Sequence, residues 1–364
     1  MAAACWGGHN RERAITDRLE SVAIASSLTL RGYKGPDVTR QVLVTGGAGF
    51  IGSYLTEALL AEGCHVTVID DESTGQFDNL AKVKSHPKLQ LLRGSVADAK
   101  IVADVIPSID EVYHLAAAVG VALIASQPIQ TIERNIFPTH QLLDLVLQQH
   151  RAGRYIKLFL ASTSEVYGKN PKPVWNEEDD LVFGSTTKPR WSYGVSKAVD
   201  EFLALAHYKT SRLPIVIGRF FNVVGPRQTG AYGMVLPRFV DAALMGHPLQ
   251  VHDDGKQTRC FAHVRDVVSA VLRLMKTHEA TGEIFNIGSD QPVSILELAK
   301  RVIALARSES QVEFVSYQQA YDKTFEDIRR RVPDLSKLKR TIAYQAAYDL
   351  DSIIQDCIEA KRAK

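Results

Sequence analysis

The segment Val42-Leu43-Val44-Thr45-Gly46-Gly47-Ala48-Gly49-Phe50-Ile51-Gly52 constrains this chain more than any other stretch. It passes from a β-branched run through spaced glycines into an amphipathic stretch. In that pattern Gly46 permits a tight turn, Gly49 lets the backbone approach a pyrophosphate, and Gly52 lets the following helix pack on a sheet. Amides at the helix start attract the anion. A glycine trio alone, spaced GxxGxxG, is weak evidence; here the next β-branched run ends in an acid, Asp70, placed to hydrogen-bond a ribose diol. Its charge would repel a 2′-phosphate, which favours NAD over NADP.

The same alternation continues downstream. Runs at 41–44, 65–69, 89–92, 111–114, 156–161 and 215–219 are separated by helix-length segments, which implies βαβ units and an α/β fold with a doubly wound parallel sheet of Rossmann type. After Pro226 the rhythm breaks. A helix is expected at 235–244, a strand at 249–251, a helix at 264–276, and another opening at Ser294, where Glu297 completes a capping box. The expected division is therefore a flexible extension over 1–39, a nucleotide-binding domain over 40–225, and a smaller mixed substrate region over 226–364, with 264–290 returning to the first domain.

With 364 residues, 45% apolar and 23% charged, the chain has the balance of a globular protein. Forty-three basic against 41 acidic residues leave +2, without the excess that marks nucleic-acid binding. No apolar stretch is long enough to span a bilayer, and a cytoplasmic protein is expected. Cys5, Cys64, Cys260 and Cys357 form no CxxC pair, so no metal centre is expected. Apolar faces at Leu142, Leu143 and Val146, and at Val195, Val199, Phe202 and Leu203, suggest a homodimer.

The reacting groups are sought next. Ser162-Thr163-Ser164-Glu165-Val166-Tyr167-Gly168 follows a strand, and Tyr193-Gly194-Val195-Ser196-Lys197 comes later. Four-residue spacing puts Tyr193 and Lys197 on one helical face, where an ammonium would lower the phenol's pKa. Such a tyrosine can take a proton from a sugar hydroxyl as hydride leaves, with Thr163 sharing that proton.

Together with His114-Leu115-Ala116-Ala117 and stretches 222–227 and 256–261, these motifs resemble the extended short-chain dehydrogenase/reductases that act on nucleotide sugars. The resemblance spans about 40–345. It implies tightly held NAD, a UDP-sugar substrate and transient oxidation at sugar C4. It further implies cofactor contacts from Gly46, Gly49, Phe50, Ile51, Gly52, Asp70, Ser73, Thr74, Gly75, Ser95, Val96, Leu115, Ala116, Ala117, Tyr193 and Lys197. Substrate contacts fall to Val119, Ser164, Glu165, Asn222, Arg227, Val235, Arg238, Val251 and Arg259, and catalysis to Thr163, Glu165, Tyr193 and Lys197. Two positions depart from the family's wording. Ser95 follows Gly94 where members carry an Asp that meets adenine, and a helix that usually opens Asn-x-x-Gly reads Asn135-Ile136-Phe137-Pro138.

The wording is nearest to UDP-glucuronate decarboxylases, which form UDP-xylose: they resemble this chain in 162–168, in Lys188-Pro189-Arg190-Trp191-Ser192-Tyr193, in 255–261 and in 329–333. By that likeness Arg259 orients the sugar carboxylate, and Glu165 manages water or protonates C5. A UDP-sugar 4-epimerase acting on UDP-glucose or UDP-glucuronate is the alternative. A 4,6-dehydratase and a non-catalytic NAD-binding protein rank behind.

Overall fold

A computed structural model describes residues 39–118, 128–230, 234–316 and 328–363. Most of the N-terminal extension, and the expected substrate contact Val119, lie outside the described residues. The β-branched runs become β1 (Gln41–Thr45), β2 (His65–Asp70), β3 (Leu89–Arg93), β4 (Glu111–His114), β5 (Lys157–Thr163) and β6 (Ile215–Phe220). Between them lie α1 (Phe50–Ala61), α2 (Ala99–Val105), α3 (Pro128–Arg151) and α4 (Ser192–Ser211). There follow β7 (Asn222–Val224), α5 (Val235–Leu244), β8 (Leu249–His252), β9 (Thr258–His263), α6 (Val264–Lys276), β10 (Ile284–Ile287), β11 (Pro292–Ser294), α7 (Ile295–Ala306), β12 (Val312–Val315), β13 (Arg330–Arg331), α8 (Ser336–Ile342) and α9 (Leu350–Arg362). Ser294 caps α7 as expected, its Oγ accepting from the Glu297 amide at 3.1 Å.

The main sheet is parallel throughout, in the order β10-β6-β5-β4-β1-β2-β3. Both faces are covered, so its strands are nearly continuous in apolar residues. Along β1, Val42 and Val44 face a core shared with α1 and α6, while Leu43 faces the core shared with α2, α3 and α4. A third, smaller core gathers α5, α7, α9 and β8.

Strand order reverses between β1 and β4, which opens a crevice at their C-terminal ends. A buried histidine pins that point. Thr45 Oγ1 meets His114 Nδ1 at 2.7 Å, and His114 Nε2 meets Thr139 Oγ1 of α3 at 3.0 Å. Burial, followed by the charge of Lys197, pulls His114 down to about 3, so the imidazole stays neutral.

Two expectations change. Helix α3 begins at Pro128, with Asn135 inside it and Pro138 in its interior. Asn135 instead stitches loop to helix: its Oδ1 accepts from the Ala118 amide at 2.8 Å and its Nδ2 donates to Ser196 Oγ at 3.1 Å. Of the apolar faces suggested for a dimer, Leu142, Leu143 and Val146 are spent on the sheet-side core, whereas Phe202 is 68% and Val195 40% exposed.

Helix α4 is fixed to β6 by a buried pair. Arg219 donates to both oxygens of Glu201, at 3.0 Å from Nε to Oε1 and 2.7 Å from Nη2 to Oε2. Removing the carboxylate leaves a buried guanidinium uncompensated, so Glu201→Ala is expected to cost about 3–5 kcal/mol in urea unfolding; a loss under about 1 kcal/mol would contradict this role.

Candidate active site

The crevice holds a cavity of about 740 Å³. At one end lies the glycine loop. Gly46 has φ +71°, and a Cβ there would sit 2.8 Å from the Ala116 amide nitrogen; a Cβ on Gly52 would sit 2.1 Å from the Gly46 carbonyl. Glycine alone lets turn, helix and β4 loop approach this closely. Helix α1 has neither a side-chain cap nor an acid in its first turn, so its leading amides are left for an anion. The acid at the end of β2 holds this loop: Asp70 Oδ2 accepts from the Ala48 amide at 2.9 Å and Oδ1 from the Glu72 amide at 2.8 Å. Each oxygen keeps a lone pair for a ribose hydroxyl. These features fit a dinucleotide.

At the other end of the cavity, β5 runs out into a tight helical turn and α4 begins. Thr163 Oγ1 accepts from the Glu165 amide at 3.2 Å, and Thr163 and Tyr193 line the cavity together. The Tyr193 phenol is raised above its ordinary value, first by burial and next by the charge of Glu165, with Thr163 pulling the other way. This corrects the expectation that Lys197 lowers it. Lys197 Nζ donates instead to Asp200 Oδ2 at 2.8 Å, three residues along α4, in a pair buried on both sides.

Glu165 lies between two arginines. Arg190 Nη1 reaches its Oε2 at 2.7 Å and Arg331 Nη2 its Oε1 at 2.5 Å. Burial resists ionisation, but Arg331 and then Arg190 outweigh it and hold the carboxyl at about 2. Glu165 therefore has no proton to give near neutral pH, and the expectation that it protonates C5 directly is withdrawn on that ground. Two cations face one anion here. Arg331 Nε and Ser164 Oγ are both buried without a hydrogen-bond partner among the described residues, and both residues line the cavity.

Most of the residues expected from sequence converge on this cavity: Phe50, Ile51, Ser73, Thr74, Ser95, Val96, Leu115, Ala116, Ala117, Asn222, Arg227, Val235, Arg238 and Arg259 line it alongside the groups above. Three do not. Gly75 packs beneath the loop, where a Cβ would meet Ala48 at 2.7 Å. Lys197 is turned to Asp200. Val251 belongs to the small core, and the two-residue period of β8 puts Gln250 and His252 on the cavity in its place. Arg227 is bound to α1, donating to Ser53 Oγ at 3.0 Å and Glu57 Oε1 at 2.7 Å. Asn222 Nδ2 donates to the Cys260 carbonyl at 3.0 Å. The residues missed from sequence are Arg190, Arg331, Gln250 and His252. Both arginines stood inside quoted motifs, but nothing local shows that they meet at Glu165.

A doubly wound parallel sheet, a glycine cradle at its switch point, and Thr163 and Tyr193 on the cavity with Lys197 four residues on along α4 define an extended short-chain dehydrogenase/reductase. The chain belongs to the family described as GDP-mannose 4,6 dehydratase, which matches residues 43–357. It is 38% identical over 325 residues to a UDP-N-acetyl-alpha-D-glucosaminuronate decarboxylase of Bacillus cytotoxicus, covering 88% of this chain and 97% of that one. It is 34% identical over 319 residues to UDP-glucuronic acid decarboxylase 6 of Arabidopsis thaliana, covering 87% of each. Among solved structures, a UDP-glucuronic acid 4-epimerase from Bacillus cereus, in complex with UDP-glucuronic acid and NAD, superposes with a TM-score of 0.79 at 28% identity. The match covers 89% of this chain and all of that one.

The pair of arginines makes a pH prediction. The Glu165 carboxyl falls from 4.5 to about 2 on folding, so its stabilising contribution is complete above pH 4.5 and is lost as pH falls towards 2. That contribution is roughly 3 kcal/mol at most. Unfolding free energies of wild type and Glu165→Gln should therefore converge as pH drops through that window; a constant gap would show that the ion pairs do not set it.

Proposed function

We propose that the chain is an NAD-dependent UDP-glucuronate decarboxylase that forms UDP-xylose through transient oxidation at sugar C4. Arg331 carries this reading: it shares Glu165 with Arg190 on the cavity wall, and its buried Nε has no hydrogen-bond partner among the described residues. A hexuronate brings the second carboxylate that completes such a site. A neutral hexose offers no carboxylate to the buried Arg331 Nε, which disfavours a UDP-glucose 4-epimerase. The names of the relatives point the same way.

NAD would be held by the Gly46–Gly52 cradle and Asp70, and when bound it supplies a reversible hydride acceptor for C4 and a positive charge that favours a phenolate. Tyr193 takes the C4 hydroxyl proton during oxidation, and Thr163 holds the tyrosine oxygen in place. Lys197 pairs with Asp200. With C4 a ketone, the C6 carboxylate is a β-keto acid. The C5–C6 bond breaks, its electron pair passes into the C4 carbonyl, and carbon dioxide leaves. Arg331, Arg190 and Arg259 orient the carboxylate beforehand. Glu165, ionised throughout, accepts hydrogen bonds and holds the water that protonates C5. Tyr193 returns its proton as C4 is reduced.

The reading extends to a homodimer formed through α3 and α4, supported by Phe137 and Phe202, which are 65% and 68% exposed on these helices. Phe202→Asp should then convert a dimer to a monomer in light scattering, whereas a wild type that is already monomeric at micromolar concentration would exclude it.

Incubation with UDP-glucuronate, its 2-acetamido analogue and UDP-glucose, followed by mass spectrometry, is expected to show loss of carbon dioxide from a uronate and no change in the hexose. Product of unchanged mass from UDP-glucuronate would make the chain an epimerase. Tyr193→Phe should slow C4 oxidation by about 10²–10⁴. Glu165→Ala, folded and NAD-loaded, should still form NADH while decarboxylation stalls; loss of the first step as complete as in Tyr193→Phe would place Glu165 in the oxidation itself.

A further inference from the structure

Away from the cavity, helices α3 and α4 bring three metal-ligating side chains together. His140 and Asp144 lie one turn apart on α3, and His207 lies near the end of α4. His140 Nε2 is 3.4 Å from Asp144 Oδ2, His207 Nε2 is 4.0 Å from Asp144 Oδ1, and the ligand atoms of all three lie within 4.8 Å of one another. We propose that His140, Asp144 and His207 form a site for a borderline divalent cation, zinc or nickel, that clamps α3 to α4.

The donor set selects the ion. Two imidazoles and a carboxylate suit zinc or nickel, whereas magnesium and calcium favour oxygen donors alone. Bonds of about 2.0–2.2 Å in tetrahedral geometry put neighbouring donors a little over 3 Å apart, so closing this set requires a contraction of about 1 Å. Rotamer adjustment supplies that, because His140 and Asp144 are 53% and 46% exposed. The i,i+4 spacing on α3 is the one by which a single helix presents two ligands to one ion. Among the described residues Asp144 pairs with no lysine or arginine; its partners are the two imidazoles. His207 is better shielded, at 17% exposed. Tyr193 and Lys197 stand at the opposite end of α4, so the clamp acts on the stability of the helix pair and not on the chemistry.

The test uses the untagged full-length chain, stripped with a chelator and titrated with zinc chloride by calorimetry and with cobalt(II) by visible absorption. One equivalent should bind with micromolar affinity, raise the melting temperature by a few degrees, and give the intense bands of tetrahedral cobalt. His207→Ala and His140→Ala, each shown to melt like the wild type without metal, should weaken binding about tenfold or more. The half-exposed His140 variant stands in should the His207 variant fail to fold. Absence of saturable binding, or affinity unchanged by either substitution, would overturn the proposal.

Discussion

The crevice depends on a neutral histidine. At the ends of the paired strands β1 and β4, His114 bridges Thr45 to Thr139 of α3. Thr139 gives its own proton to the Asn135 carbonyl, so the neutral ring donates to it through Nε2 and accepts from Thr45 at Nδ1. Burial guarantees that state. With the strand ends fixed, the β4 loop can lie against Gly46, and the glycine loop can in turn present the start of α1 to the cavity.

The second constraint is electrostatic. Glu165, Arg190 and Arg331 come from a strand-end turn, the segment ahead of α4, and a short strand near the C-terminus. In a low-dielectric wall a carboxylate shared by two guanidiniums is ionised at any working pH. The site thus has a fixed charge pattern before any substrate arrives. Tyr193 is tuned in the opposite direction, by burial first and by the charge of the same carboxylate second, both raising the phenol, so the positive charge of a bound cofactor is needed to favour its phenolate. Acid and base character in this cavity are therefore coupled through Glu165.

What could be read from the sequence was what is encoded locally. The glycine loop, Asp70 and the six main-sheet strands announce themselves through spacing and apolar runs, and their structural positions follow within a residue or two. The partners of charged groups were harder to see. Arg331 stands 166 residues from Glu165, and no periodicity links them. Asp200 is local: a carboxylate three residues after Lys197 is at helical contact distance and competes with Tyr193 on the preceding turn for the same ammonium. Val251 shows a third kind of limit. In a four-residue strand the phase of alternation is not determined by composition, so the side facing the cavity was assigned one residue off.

Strands β7 and β9 pair with each other and belong to two cores at once. Val223 and Ala262 face the core under the main sheet, while their neighbours Val224 and Phe261 face the smaller one. The chain then crosses back to supply β10 to the sheet and α8 beneath it before ending in α9 on the other side. Neither core can be completed by a contiguous stretch of chain. A nascent polypeptide halted before α8 would hold most of its cofactor half yet leave apolar surface open on it, so assembly of the two halves is postponed until nearly the whole chain has emerged.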